Sequence, residues 1–137
     1  MRNIRKDKGS SLIEFAIIAP LIFLLIAGVI QFGFIFNAKI AVNAASFEGA
    51  RAAALSEEPE EDAKRAVYYY ANSTLPGWSF DERLGMFIDF QGYNPGDVVS
   101  VKVNYKVPVF FGNIISFGGN DVFNIQAESC MSIEEKE

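Results

Sequence analysis

Histidine is absent from this chain of 137 residues, and cysteine occurs once, at Cys130. Without histidine, a serine or cysteine nucleophile has no imidazole base, and a zinc site lacks its usual set of nitrogen and sulfur ligands. A lone cysteine cannot form a disulfide within the chain, so the redox compartment stays undecided. We therefore expect no enzymatic activity, no metal and no cofactor.

Formal charge is missing from residues 15–36, where Gln31 is the only strongly polar side chain. At ~1.5 Å per residue a helix over this run spans roughly 33 Å, which is enough to cross the ~30 Å hydrocarbon core of a bilayer. Pro20, Gly28 and Gly33 interrupt the run, but membrane helices tolerate both residue types. We predict a membrane-spanning helix that is kinked at Pro20.

The charged residues are distributed unevenly along the chain. Residues 1–9 have a net charge of +3, because Arg2, Arg5, Lys6 and Lys8 outnumber a single aspartate, and the remainder carries −8. Basic residues beside a membrane helix tend to remain in the cytoplasm, so we expect the N-terminus inside the cell and the acidic C-terminal part outside. The acidic balance argues against nucleic acid as a partner.

The helical pattern continues beyond the uncharged run. Residues 37–55 contain no proline and are rich in alanine, which is the best helix former. We predict one long helix from about Ser11 to Leu55, with its first half in lipid and its second half in water. Small side chains on the second half allow close approach of another helix or of a sheet. They are Ala38, Ala41, Ala44, Ala45, Gly49, Ala52 and Ala53.

A second helix is predicted from Glu60 to about Asn72. Pro59 and the acids around it mark a loop and a helix start, because acidic side chains in a first turn complement the helix dipole. Residues 73–81 are expected to form a turn. Spacings of three and four give the second helix an apolar face at Ala63, Ala66, Val67 and Tyr70.

The last part of the chain alternates apolar and polar side chains, which is typical of half-buried strands. We predict strands over residues 86–90, 98–109 and 123–131. The side chains expected to point inward are Val99, Val101, Val103, Tyr105, Val107 and Val109 in the long strand, and Phe123, Ile125, Ala127 and Met131 in the last.

The segments between and after these strands contain turn residues. We predict a turn over residues 92–96, a glycine-containing loop over 110–121 and a solvated tail from Ile133. Pro108 removes a main-chain donor and indicates either the end of a strand or a sheet edge. The fold class is therefore α+β, with about three antiparallel strands packed on the second half of the long helix.

One carboxylate, that of Glu14, stands at the edge of the uncharged run. At the centre of a bilayer an acid costs roughly 2.5–3.5 kcal/mol, so a role for this residue is expected. The basic leader ends in Gly9, Ser10 follows, and Glu14 and Phe15 are then the fifth and sixth residues after that glycine. This arrangement resembles the processing site of type IV prepilins, whose leader is removed after the glycine.

The resemblance narrows to the TadE-like pseudopilins of tight-adherence pili, which are also called type IVc or Flp pili. It rests on SSLIEFAIIAPLIFLLIAGVIQFGFIF from Ser10, in which Pro20 follows Glu14 by six residues, and on NAASFEGARAAA over residues 43–54. A looser resemblance over the β region, in YKVPVF from Tyr105 and AESCMSIE from Ala127, extends it to nearly the whole chain. The resemblance implies a type IV pilin-like fold and cleavage after Gly9 by a membrane aspartic prepilin peptidase. It also implies assembly with other pilins and an inner-membrane platform, as a minor component of a pilus that serves adhesion.

We therefore expect a single-pass protein of the bacterial inner membrane, possessing a cytoplasmic leader over residues 1–9. Residues 10–36 form the membrane half of the long helix, and residues 37–137 form an extracytoplasmic head. Cleavage frees an amine at Ser10. Opposite charges interact strongly at low dielectric, so we expect this amine to pair with Glu14 of a neighbouring subunit and set the assembly register.

Three other functions remain open on the sequence alone. A secreted protein would be cut after residues 42–44 and begin near Ala45, although the apolar run exceeds the about 7–15 residues of a signal peptide. An anchored enzyme or calcium site would use the acids of residues 57–62, whose spacing lacks the pattern of a calcium loop. A bitopic binding protein would expose an aromatic patch. Its residues would be Tyr68, Tyr69, Tyr70 and Trp78, which we expect instead to divide between core and surface.

Overall fold

The computed structural model describes residues 4–75, 80–109 and 122–134. Trp78 and the predicted loop over 110–121 lie outside these ranges. The chain divides into two compact units, Met1–Gly33 and Phe34–Glu137, which we call the N-terminal unit and the head unit. The described elements are the helices α1 (Ile4–Leu55), α2 (Pro59–Thr74) and α3 (Phe80–Arg83) and the strands β1 (Leu84–Phe90), β2 (Val98–Pro108) and β3 (Val122–Ser132).

Helix α1 ends at Leu55 as predicted but begins at Ile4 and not near Ser11. The basic leader is made of good helix formers, and a glycine inside a helix costs only about 1 kcal/mol relative to alanine. A long helix absorbs that cost, since each added residue contributes its own hydrogen bond once the helix is nucleated. The peptide bond between Gly9 and Ser10 therefore lies inside a helix.

The three strands form one antiparallel sheet in the order β1-β2-β3. Val101, in the middle of β2, pairs with Ile88 on one side and with Ser129 on the other. Because β2 is the central strand, Pro108 marks the end of a strand and not a sheet edge. The hairpin between β1 and β2 contains Gly96, whose φ of 94° is a conformation that glycine adopts readily. The predicted α+β, pilin-like layout is confirmed.

The core of the head unit is formed by buried side chains of the sheet, of α1 from residue 38 onward and of α2. Alternate side chains of β2 are fully buried, as the period of two predicted, and Tyr105 is the largest of them. Burial raises the pKa of the Tyr105 phenol, and the positive charge of Arg83 opposes that shift. Of the small residues expected to face the core, Ala44 is exposed and Ala52 only half-buried. The buried alanines and glycine of α1 within the head unit are Ala38, Ala41, Ala45, Gly49, Ala50, Ala53 and Ala54.

At Gly49, α1 comes close to both α2 and β2. A Cβ atom built at this position would lie 2.5 Å from Cγ2 of Val67 and 3.2 Å from Cγ1 of Val101. Ordinary carbon contacts are about 3.5–4.0 Å. The absence of a side chain at residue 49 therefore sets the distance between the two helices and the sheet.

Strand β3 is an edge strand, and a lysine of α1 covers part of it. Lys39 Nζ donates a hydrogen bond of 2.5 Å to the main-chain oxygen of Gln126. Further along, the hydroxyls of Ser46 and Ser129 share a hydrogen bond of 2.9 Å. Both contacts join the strand to the helix: the serine pair is partly buried and satisfies polar groups beside the core, whereas the lysine contact lies at the surface.

Several predictions for the head were wrong in detail. Helix α2 buries Ala63, Val67 and Ala71, whereas Ala66 is half-buried and Tyr70 is exposed. Phe123 lies on the face of β3 that was predicted to point inward, but it is 52% exposed. Alternation predicts the face of the sheet on which a side chain lies and does not predict how much of that face is covered by helices.

The turn predicted over residues 73–81 and the tail predicted from Ile133 also differ from expectation. Part of the turn expected over residues 73–81 is helical, since α2 continues to Thr74 and α3 begins at Phe80. Ile133 is buried and not solvated. Its N–H donates to the oxygen of Asp97 and its oxygen accepts from the N–H of Gly96, so the hairpin between β1 and β2 holds the start of the tail.

The outward face of the sheet carries a polar cluster centred on Glu128. Its carboxylate accepts a hydrogen bond of 2.8 Å from Ser100 Oγ and lies 3.2 Å from Lys102 Nζ. The hydrogen bond from Ser100, followed by that from Lys102, lowers the pKa of Glu128 below its ordinary value of 4.5. A carboxyl group with a depressed pKa stabilises the fold above its unfolded pKa and loses that contribution as the pH falls through the folded pKa.

We expect both Ser100→Ala and Lys102→Met to raise the pKa of Glu128 toward its ordinary value. The physical reason is that the hydroxyl bond is the largest single cause of the shift, whereas the lysine contributes both a hydrogen bond and a charge. The measurement is the NMR chemical shift of the Glu128 carboxyl carbon against pH. Lys106→Met, which removes an exposed lysine from the same strand, is the control and should leave the titration unchanged. An unaltered titration in Ser100→Ala would show that this bond does not form in solution.

Candidate functional site

The residues of the predicted processing and register site follow one another along α1 in the N-terminal unit. Gly9, Ser10 and Glu14 are all exposed. Ser10 Oγ donates a hydrogen bond of 3.5 Å to Glu14 Oε1. This contact arises because residues four apart are neighbours on one helix face. A group attached to residue 10 thus lies within one turn of the carboxylate.

Glu14 stands among exposed apolar side chains. Leu12 and Phe15 are each 68% exposed and Ile13 is 65% exposed. Glu14 forms no ion pair within the ranges that the structure describes. In lipid such an acid would be costly until a cation neutralised it. Because the Glu14 side chain is exposed, a positive group of another molecule can reach it.

The remaining predicted site residues lie on the same helix. The structure describes the helical backbone at Arg5, Lys6 and Lys8, whereas Arg2 lies outside the described residues. Pro20 is inside α1, and the helix is continuous on both sides of it. The kink at Pro20 and the role of the basic charges stay predictions.

Helix α1 is long and apolar enough over Gly9–Leu55 to span a membrane, and within the described residues it is the single helix with that property. Length and composition alone support this statement, and a signal sequence near an N-terminus has the same character. Among the described residues no group of His, Cys, Asp or Glu is arranged to hold a metal ion. Cys130 is free and exposed on β3.

A second surface feature lies in the head unit, between the end of α1 and the outer side of α2. We call it the α1–α2 groove. Tyr68, Tyr69 and Tyr70 are 42%, 72% and 38% exposed, so all three lie on the surface, while Trp78, the fourth aromatic residue of that prediction, lies outside the described residues. The groove is lined by Ala52, Leu55, Ser56, Asp62, Arg65, Ala66, Tyr69 and Tyr70.

Sequence reasoning identified Gly9, Ser10 and Glu14 but missed two features. The hydrogen bond between Ser10 and Glu14 was predictable from their spacing of four, once the helix is known to include Ser10. The α1–α2 groove had no comparable signal, because its walls come from two helices whose packing depends on Gly49 and on the turn between them.

Comparison with known proteins gives one match. No curated protein and no solved structure is similar enough to match the chain. The family model described as TadE-like protein matches residues 9–51. That stretch includes Gly9, Ser10, Glu14, Phe15 and Pro20 and ends within the alanine-rich part of α1. Over these residues the chain is similar to the TadE-like family, which confirms the resemblance predicted from its N-terminal motifs.

Proposed function

We propose that this protein is the precursor of a minor pilin, or pseudopilin, of a type IVc (Tad or Flp) pilus or of a related secretion machine. The observation that carries the proposal is the TadE-like match over residues 9–51, a stretch that includes Gly9, Glu14 and the apolar part of α1. Adhesion and surface colonisation are the biological roles that follow from such a pilus.

The proposed topology is a single pass through the inner membrane. The basic residues before Gly9 stay in the cytoplasm, where positive charge beside a membrane helix is retained. The head unit then lies outside the cytoplasm. The partners in this arrangement are a prepilin peptidase, other pilins and the inner-membrane assembly platform.

Processing after Gly9 requires a local change in α1. A protease cleft accepts an extended backbone, whereas the bond between Gly9 and Ser10 is helical here. Glycine lowers the cost of opening this turn, because it is disfavoured in helices by about 1 kcal/mol relative to alanine and adopts extended backbone freely. Gly9 therefore acts both as the residue that fits the cleft and as the weak point of the helix.

Glu14 is proposed to act after cleavage. The new N-terminal amine belongs to Ser10, and a carboxylate near a helix N-terminus is also favoured by the helix dipole. Pairing between Glu14 and the amine of a neighbouring subunit would fix the axial offset of the two helices. The exposure of Glu14 and its lack of an ion pair in the described ranges support this role.

The first test is the mass of the mature N-terminus in host cells with and without their prepilin peptidase. We expect the protein to begin at Ser10 when the peptidase is present and to retain its leader when the peptidase is removed. A mature chain that begins near Ala45 would instead identify a secreted protein, and one that always begins at Met1 would contradict processing.

A bitopic binding protein unrelated to pili is the second candidate, and the three exposed tyrosines favour it. Such a protein would keep its leader and would not appear among filament components. The same mass measurement, combined with fractionation of sheared filaments, separates the two functions.

A further inference from the structure

The α1–α2 groove combines apolar walls with fixed polar groups at one end. Asp62 accepts hydrogen bonds from Ser56 Oγ and, at 3.1 Å, from Arg65 Nη1. Arg65 is thereby neutralised by a carboxylate that is itself held in place. The groove is thus built around a balanced ion pair and does not present a free cation.

Negative charge is in excess beside the groove. Lys64 is bound to Glu60 at 2.5 Å, and this hydrogen bond raises the pKa of the lysine, so both bases of α2 are already engaged. The carboxylates of Glu57, Glu58 and Glu61 form no ion pair within the described part of the chain. The N–H of Glu58 donates a hydrogen bond to Ser56 Oγ and its main-chain oxygen accepts one from the N–H of Asp62, so Glu58 lies next to two residues that line the groove.

The groove also exposes apolar side chains. Leu55 is 52% exposed and Tyr69 is 72% exposed, and the rings of Tyr69 and Tyr70 meet edge to face at 5.8 Å between centroids. Tyrosine is enriched where proteins bind each other. Its ring face also attracts lysine and arginine side chains.

We propose that the α1–α2 groove binds a segment of a partner protein that presents a lysine or arginine next to an apolar or aromatic side chain. The cation faces the unpaired glutamates and a tyrosine ring, and the apolar side chain occupies the space beside Leu55. A surface of anionic lipid is disfavoured, because the excess carboxylates repel its headgroups. The inference does not depend on leader cleavage, since every residue involved lies in the head unit.

The test uses the full-length protein in nanodiscs of zwitterionic lipid, with empty nanodiscs as the background. Three labelled peptides serve as probes: GKFGKFGKFG, its acidic counterpart GEFGEFGEFG, and GKSGKSGKSG without aromatic rings. We expect the first to bind more tightly than either other peptide, and its binding to weaken with added salt. Tight binding of the acidic peptide would overturn the proposal.

Variants then locate the site. Tyr69→Ser should weaken binding of the basic aromatic peptide about tenfold, as expected for an exposed aromatic anchor, and Glu58→Gln combined with Glu61→Gln should weaken it and reduce its salt dependence. Tyr93→Ser is the matched control, because Tyr93 is 68% exposed on the hairpin between β1 and β2. Equal losses in Tyr69→Ser and Tyr93→Ser would overturn the proposal.

Two other occupants are distinguished by the same variants. Self-association that Tyr69→Ser abolishes, without binding of the peptide, would assign the groove to a second copy of this chain and overturn the proposal. Displacement of the bound peptide by a neutral oligosaccharide would assign it to a sugar, with the same consequence. Failure here leaves the mass of the mature N-terminus unaffected, so the two proposals fail independently.

Discussion

Glu14→Gln is expected to be processed normally after Gly9 and inserted in the membrane, but to be lost from assembled filaments. At an effective dielectric constant of 20, two unit charges ~4 Å apart attract by about 4 kcal/mol. Losing even half of that attraction lowers incorporation more than tenfold, since 1.4 kcal/mol corresponds to a factor of ten. The measurement compares the variant in sheared-filament and membrane fractions and determines its N-terminal mass in the latter.

Two further variants make this result specific to Glu14. Glu134→Gln removes the same charge from an exposed residue beyond β3 and should leave incorporation unchanged. Glu14→Asp keeps the charge on a side chain shorter by one methylene and should therefore be incorporated into filaments at an intermediate level. Normal incorporation of Glu14→Gln would mean that the carboxylate does not set the register. Loss of cleavage in that variant would mean that Glu14 acts in peptidase recognition.

Gly49→Val is expected to destabilise the head by about 2–4 kcal/mol, because overpacking of a close contact forces side chains and backbone to shift. Even the first carbon of the new side chain would overlap Val67, and two methyl groups would follow. The gain in helix propensity over glycine is only a few tenths of a kcal/mol and does not offset this. Chemical unfolding of the full-length chain, followed by circular dichroism and limited proteolysis, measures the loss.

Ala44→Val is the control for Gly49→Val. Ala44 lies on the same helix but is exposed, so the same β-branched side chain meets only the small cost of helix propensity there. Unfolding free energies that fall equally in the two variants would show that α1, α2 and β2 are not in close contact at residue 49. A loss confined to Gly49→Val would support the packing described.

Periodicity in the sequence was sufficient to predict most of the fold. Strand β2 alternates buried and outward side chains from Val99 to Val107, as the period of two requires. The ends of α1 at Leu55 and of β1 at Phe90 also agree with prediction. These elements were predictable because each has a long, regular pattern and a clear stop.

The errors arose where local pattern and packing disagree. The leader is helical from Ile4 because glycine weakens a helix without ending it. Helix α2 buries Ala63, Val67 and Ala71 and leaves Tyr70 exposed, because spacing alone does not show how wide the buried face of a helix is. Ile133 is buried through hydrogen bonds to the β1–β2 hairpin, which no pattern in the tail indicates.

The candidate site divides in the same way. Gly9, Ser10 and Glu14 form a contiguous motif, so sequence alone was enough to select them, and the family match includes all three. The α1–α2 groove is assembled from residues on two helices. That Arg65 is paired with Asp62, and so is not available to a ligand, is known only from the structure. Surface sites of this kind depend on the distance between elements, which hydrophobic pattern does not encode.

The hydrogen bond from Lys39 to the main chain of β3 affects how neighbouring heads can pack. Many heads of this type held at one bilayer surface would meet side by side, and bare strand edges would let neighbouring sheets fuse into aggregates. The ammonium of Lys39 already occupies a carbonyl on the outermost strand, so an incoming backbone finds that bonding position taken. In the proposed membrane-anchored precursor, this contact would disfavour pairing of one sheet with the next along β3.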